Sequence, residues 1–298
     1  MAVPALPYAD TPGTGSGAPT IPATGTGAPT TAAAAVFAAY PRLTEVFPGL
    51  TVGDEPPRSG DGWVVAAELA AGGAALDTFL AWDEAQVVRD YGQRARPDVV
   101  ASFGLHRYAW PACLLVTVPW FLLRRVPRIS VDQVSFQRTL GRMTARVTEF
   151  SCLPDDPAAG VPGARVVPDE DALRAAVRSA VAEHLGPVLE GFRPRMRRGA
   201  RALWGMAADE IVEGLWYVGQ LMGEEPRALA ELTALLPGAV PPYPAGAGFR
   251  LLTGARGESL PTRDRASCCL FYTLRPDDTC VTCPRTCDTA RIQRLSAS

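Results

Sequence analysis

The chain has 298 residues, 47% of them hydrophobic, enough for one large domain or two ordinary ones around a substantial core. All 29 basic residues are arginine, which excludes Schiff-base lysines, lysine general bases and the phosphate-cradling lysine of a P-loop. Two histidines, His106 and His184, are too few for a His-rich metal site, and a net charge of −2 gives no general attraction for nucleic acid.

The opening MAVPALPYAD lacks the charged start and continuous apolar core of a secretory signal. The TPGTGSGAPTIPATGTGAPT stretch behind it carries too little apolar surface to offset the entropy of ordering, so residues 1–32 are expected to form a disordered tail. Its GTGSGA run has the wrong spacing for a dinucleotide fingerprint, follows no strand and opens no helix.

TAAAAVFAAYPRLTEVFPGL predicts a helix that Pro41 interrupts or ends. In LDTFLAWDEAQVVRDYGQRA the apolar Leu76, Phe79, Leu80, Val87 and Tyr91 recur at helical spacing. After Asp98, VVASFGLHRYAWPACLLVTV predicts a long apolar helix cut at Pro111 or Pro119. Its most apolar part, residues 109–123, is shorter than the ~20 residues of a spanning helix and holds two prolines. A buried helix pair is the expectation, with at most peripheral membrane contact, and the protein is expected to be cytoplasmic.

Between 127 and 168 the texture changes. ISVDQVSFQRTLGRMTARVTEFSCL predicts two or three antiparallel strands over about 128–153, bending near Leu140-Gly141, and PDDPAAGVPGA a loop. Pro168 and the acids behind it then start a helix, because acidic side chains favour the positive helix N-terminus. RRGARALWGMAADEIVEGLWYVGQLMG and EPRALAELTALLP are two more helices, and GAVPPYPAGAG ends the pattern. The expected class is α+β, mostly α-helical with a small antiparallel sheet. Residues 33–245 form the helical domain, and 246–298 form a small cysteine-rich module.

That module gathers five of the seven cysteines within SCCLFYTLRPDDTCVTCPRTC, residues 267–287. Cys268 and Cys269 are adjacent; Cys280, Cys283 and Cys287 follow. LFYTL is apolar and β-prone and RPDDT is turn chemistry, so a hairpin would bring Cys280 and Cys283 back against the CC pair. Pro284 suits the first turn of a short helix, PRTCDTARIQRL, whose positive end would face the thiols. Disulfides are disfavoured by the missing secretion signal and by the strain of bridging neighbours. A structural zinc site takes four cysteines, though usually as CxxC pairs. A [2Fe–2S] cluster also takes four thiolates and spreads them over a larger object. Spacing alone leaves the metal open.

RASCCLFYTLRPDDTCVTCPR resembles the C-terminal iron–sulfur segment of the ferric-siderophore reductase family of the FhuF type, including the arginine and serine before the CC pair. The resemblance implies a [2Fe–2S] cluster held by Cys268, Cys269, Cys280 and Cys283, with no further catalytic residue, and leaves the role of Cys287 open. It implies one-electron reduction of ferric iron in siderophores, typically hydroxamates, with release of Fe²⁺ in the cytoplasm. The partners are then the ferric siderophore and an electron donor such as a ferredoxin. A [2Fe–2S] electron-transfer or iron-sensing protein, and a non-catalytic protein with structural Cys₄ zinc, are the alternatives.

His106, Tyr108, Trp110, Trp204, Trp216 and Tyr217 are candidate liners of a siderophore cleft, each with core packing as the competing role. His184, late in a helix, is explained by capping. RPRMRRGAR, residues 193–201, is either a solvated helix start or a docking patch for an acidic donor or anionic headgroups.

Overall fold

The structure, a computed structural model, describes residues 29–277, 279–280 and 282–296. The expected tail therefore lies outside the described residues except at 29–32, where Thr31 caps the first helix by accepting the Ala34 N–H.

The elements in chain order are α1 (Ala32–Phe37), α2 (Tyr40–Val46), β1 (Thr51–Gly53), β2 (Trp63–Val65), α3 (Ala66–Ala71) and α4 (Gly73–Tyr91). Next come α5 (Pro97–Leu123), β3 (Val126–Arg128), β4 (Val134–Gln137), β5 (Arg142–Ala145), β6 (Glu149–Cys152) and β7 (Ala164–Val166). The chain then runs through α6 (Glu170–Phe192), α7 (Ala200–Leu221), α8 (Glu225–Leu235), β8 (Phe249–Thr253), β9 (Ser259–Arg263) and α9 (Asp288–Leu295). This is an α+β fold, mostly helical, with small sheets.

Helix α5 is the axis, packed by α4, α6 and α7. Contrary to expectation, neither Pro111 nor Pro119 cuts it. Pro119 cannot donate to the Leu115 carbonyl one turn back, and Tyr40 supplies the missing donor from α2 through its hydroxyl at 2.8 Å. By length and composition α5 could cross a membrane, yet 94% of its apolar window is buried inside the protein. Its apolar surface is apolar all round because neighbouring elements cover it all round.

The β-rich stretch is more elaborate than the expected antiparallel hairpins. Strands β4 and β5 do pair antiparallel, turning at Gly141, whose φ of +58° suits a residue without Cβ. They sit inside a four-stranded sheet of order β1-β5-β4-β2, in which β1 and β5 are parallel. A second sheet, β3-β6-β7, contains another parallel pair. Strands of three or four residues taken from remote segments have too little pattern of their own to announce their partners. Helix α6 starts as expected: Asp169 accepts the Ala172 N–H, with Glu170 and Asp171 in the first turn.

Two local expectations at the C-terminal end are corrected. LFYTL is not a strand, because Leu270 takes a left-handed conformation and Phe271–Thr273 form a single 3₁₀ turn. That turn packs Leu270, Phe271 and Leu274 against Val87, Tyr91, Val99 and Phe103, and the burial of that apolar surface favours it. The last helix begins at Asp288, after Cys287 in extended conformation, rather than at Pro284, because Cys283–Thr286 close a separate turn. A hairpin of this region, β8–β9, lies ahead of the thiols in FRLLTGARGESLPTR, where no strand was expected.

Candidate metal centre

The site is assembled from α7 outward. Within MAADEIVEGL, Asp209, Glu210 and Glu213 put three carboxylates on an otherwise apolar stretch, and the C-terminal segment folds onto them. Asp209, fully buried, accepts from Arg263 Nη2 (2.7 Å), Ala266 N–H (2.9 Å), Ser267 N–H (2.8 Å) and Ser267 Oγ–H (3.1 Å). The backbone leading into Cys268-Cys269 is thereby pinned to a helix by one side chain. Gly205, a turn earlier on α7, lets this segment approach: a Cβ there would stand 3.3 Å from the Ala266 carbonyl oxygen.

Glu213 ties in the second half of the motif. Its Oε1 accepts from Arg263 Nη1 at 2.8 Å and from the Thr282 hydroxyl at 3.2 Å, and Thr282 precedes Cys283. Arg291 of α9 closes the far side, donating to the Cys283 carbonyl at 3.1 Å and pairing with Asp264 at 2.9 Å. From α5, the buried Ser102 donates to the Cys269 carbonyl at 3.1 Å. Three elements, α5, α7 and α9, thus converge on two short cysteine turns, and each contributes a hydrogen bond that a buried polar backbone needs.

The thiols themselves are neighbours. Cys269 and Cys280 share a hydrogen bond, and Cys283 is close enough to both Cys268 and Cys280 to disfavour charge on them. Cys269 and Cys283 are buried, Cys268 and Cys280 partly exposed. The hydrogen bond from Cys280 holds the Cys269 thiol well below its ordinary range, and the positive charge of Arg265 helps against burial. The same bond, with burial, pushes Cys280 up, and burial raises Cys268. The Leu270 N–H points at Cys268 Sγ, 3.4 Å away. Burial works against the charge of Arg265, but Asp209, Glu213, Cys269 and Glu210 around it hold its proton more firmly than usual.

All seven cysteines are unbridged in this structure. Among the described residues no three His, Cys, Asp or Glu side chains are gathered into the tight shell of a single ion. The donor set nonetheless fits an iron–sulfur core: four thiols of mixed exposure, backbone N–H groups aimed at sulfur, and a buried arginine to offset thiolate charge. Cys287 is exposed at the start of α9, and Cys113 and Cys152 are buried in the main core.

The candidate liners do not share one cleft. Tyr108 is buried against His184, Trp110 packs edge-on to Phe47, and Trp204 edge-on to Tyr243. Trp216 bonds Glu225 and abuts Phe249, while Tyr217 joins the Phe47–Trp110 group. His184 is not a cap: Nδ1 donates to the Ile129 carbonyl (3.1 Å) and Nε2 accepts from Tyr108 (2.8 Å). Of these candidates His106 is the one that acts on Cys269, and it sets its Nδ1 against the Glu210 carboxylate, while its buried Nε2 has no hydrogen-bond partner among the described residues. In the arginine run, Arg193 and Arg195 are engaged by Glu190 and Asp77, while Arg197 and Arg201 stand exposed.

Asp209, Glu213, Ser102 and Arg291 were not legible as site residues. The available signal was three acids within five residues of an apolar helix, a combination that burial makes costly unless each finds a partner. Residues 265–285 match the model of the FhuF 2Fe-2S C-terminal domain, a span that includes all four expected ligands. No curated protein matches the chain.

Proposed function

We propose, from a C-terminal segment of the FhuF 2Fe-2S type whose cofactor is a [2Fe–2S] cluster, that this protein reduces ferric iron held by hydroxamate-type siderophores and so releases Fe²⁺. The observation that carries the reading is that four cysteines of that segment, Cys268, Cys269, Cys280 and Cys283, are brought together by bonds from α5, α7 and α9. These four would hold the cluster, which when bound supplies electrons one at a time.

Reduction suits release because hydroxamate oxygens are hard anionic donors matched to Fe³⁺. Fe²⁺ carries less charge and sits low in the Irving–Williams order, so every metal–oxygen contact weakens. The chain's own part is positioning and insulation. Asp209 and Glu213 hold the two cysteine turns in register, and Leu270, Phe271 and Leu274 exclude water on the α4–α5 side. Cys268 and Cys280, the partly exposed pair, mark the side from which electrons leave.

A cavity of about 510 Å³ is bounded by Leu80, Glu84, Arg96, Asp98, Arg195 and Arg197. Its size falls within the ~300–1,000 Å³ of small-molecule sites. Arg198, next along the chain, is close enough to Cys268 to favour its thiolate. The cavity is therefore our candidate for the ferric hydroxamate. The exposed Arg197 and Arg201 are the candidate contact for an acidic donor such as a ferredoxin, in the cytoplasm.

The test is electron paramagnetic resonance of anaerobic protein before and after dithionite, followed by ferric hydroxamate. A signal of a reduced two-iron centre that disappears as Fe²⁺ is formed supports the reading. A reduced centre indifferent to ferric hydroxamate makes this an electron-transfer or iron-sensing protein, and one zinc without a reducible chromophore removes redox function altogether.

A further inference from the structure

The two halves of the cysteine motif are anchored in different ways. The Cys268-Cys269 half hangs on the core: the Ser267 N–H reaches Asp209 at 2.8 Å and the Ser102 hydroxyl reaches the Cys269 carbonyl at 3.1 Å, with all three side chains buried. The Cys280–Cys283 half hangs on α9. Arg294 donates to the carbonyl and, at 2.7 Å, to the hydroxyl of Thr279. Arg291 donates to the carbonyls of Cys283 at 3.1 Å and Thr286 at 3.5 Å. The tie of this half to α7 is the Thr282–Glu213 bond at 3.2 Å, and Glu213 keeps Arg263 as a partner without it.

Helix α9 is itself held by polar bonds rather than by apolar burial. Its buried side chain is Arg291, and none of its residues joins either apolar cluster of the described residues. Asp288 at its start accepts two bonds from Arg250 of β8, at 2.6 and 2.9 Å. Arg250 also reaches Asp264 at 3.0 Å, and Asp264 accepts from Arg291 at 2.9 Å. Just past the helix, the Ser296 hydroxyl donates to Glu258 at 2.9 Å. Asp264 and Asp288 are 59% and 52% exposed, so water and salt reach this chain of pairs, and such pairs are weak and screened. Eight residues are also too few to stay helical alone, where ~12–15 are needed. Lifting α9 returns Arg291 to water and uncovers little of the apolar core. Lifting the CC half would leave Asp209 and Arg263 short of partners in the interior.

We propose that α9 is a salt-sensitive clasp: it opens as a unit, lifts the Cys280–Cys283 turn away from the CC pair, and so provides the way in and out for the metal centre. Elements with few apolar contacts and exposed polar ties are those that open locally while the rest of a protein stays folded. The CC pair is the fixed jaw and α9 carries the moving one. The role in loading rests on the reading of this site as a [2Fe–2S] centre; the opening itself does not.

The test is alkylation of the metal-free full chain by iodoacetamide at fixed pH, with each thiol followed separately by peptide mass spectrometry and compared with itself. Cys283 is the reporter, because at 2% exposure it reacts only when its turn lifts. Raising sodium chloride from about 50 to about 500 mM should speed its labelling at least about threefold and leave Cys269 unchanged. Arg250→Gln should do the same at low salt, whereas Arg42→Gln, which removes the exposed Arg42–Glu45 pair on α2, should not. Loss of a cation by itself disfavours thiolate, so faster labelling in Arg250→Gln reports opening. Labelling of Cys283 indifferent to both salt and Arg250→Gln, or all buried thiols accelerating together, overturns the clasp. The salt series decides the matter even if Arg250→Gln fails to fold. In loaded protein, iron release to a chelator should quicken under the same conditions; unchanged release with faster Cys283 labelling overturns the role in loading. Absence of any two-iron centre in the unsubstituted protein is a different failure, that of the site reading itself.

Discussion

Asp209 accepts both the backbone N–H and the hydroxyl of Ser267, at 2.8 and 3.1 Å, with the same carboxylate that neutralises Arg263. One buried side chain therefore sets the conformation of the residue before the CC pair and the charge balance behind it. Asp209→Asn keeps the shape and leaves Arg263 without a full countercharge. Breaking a buried pair costs about 3–5 kcal/mol. The expected outcome is a loss of that order in chemical denaturation, with poor retention of iron; unchanged stability would show that Glu213 alone suffices for Arg263.

Cys283 and Cys287 are expected to separate cleanly. Cys283 is 2% exposed and its carbonyl is held by Arg291, whereas Cys287 is exposed at the start of α9. Cys283→Ser should abolish or strongly alter the visible spectrum and lower bound iron and sulfide, while Cys287→Ser should leave both intact. The reverse pattern would make Cys287 a ligand.

His184 makes stability depend on pH. Burial lowers its pKa from 6.5 to about 4, and its two ring nitrogens already serve Ile129 and Tyr108 in the neutral form. Above pH 6.5 both folded and unfolded chains hold it neutral and its stabilising effect is complete. As pH falls toward about 4 the unfolded chain binds the proton and the folded one does not, so stability declines across that window. Urea denaturation between pH 7 and 5 should show the decline, and His184→Phe should flatten it.

Tyr108→Phe tests the same bond from the other side. It strands Nε2 of His184 without a donor in the interior, which costs about 1–3 kcal/mol. Differential scanning calorimetry at neutral pH should register the loss, with no change in the visible spectrum of the metal centre.

Gly205→Val probes how closely α7 must meet the thiol segment. A Cβ already meets the Ala266 carbonyl at 3.3 Å, so a branched side chain must push residues 266–268 away. Lower cluster retention with α7 intact by circular dichroism is the expected result; normal iron content would mean the segment can yield.

What could be read from the chain was local. The helices announced themselves through apolar spacing and, for α6, through the Asp169 cap and its acids. The four thiols were legible because their spacing lies within sixteen residues, Cys268 to Cys283. The continuous α5 was not, because the donor that compensates Pro119 is Tyr40, 75 residues before Leu115. Nor could spacing show that LFYTL would coil into a turn, since its partners Val87, Val99 and Phe103 lie on α4 and α5. The anchors Ser102, Asp209 and Glu213 share this character: each is an ordinary helix residue until the remote segment arrives.

The bond from Ser102 to the Cys269 carbonyl joins positions 167 residues apart. Cluster retention is in consequence expected to depend on the folding of the whole chain, since the walls around the four thiols come from helices remote in sequence. Colour acquired by the protein reports that the polypeptide has closed on itself, and chelation that strips the metal should loosen contacts far from any sulfur.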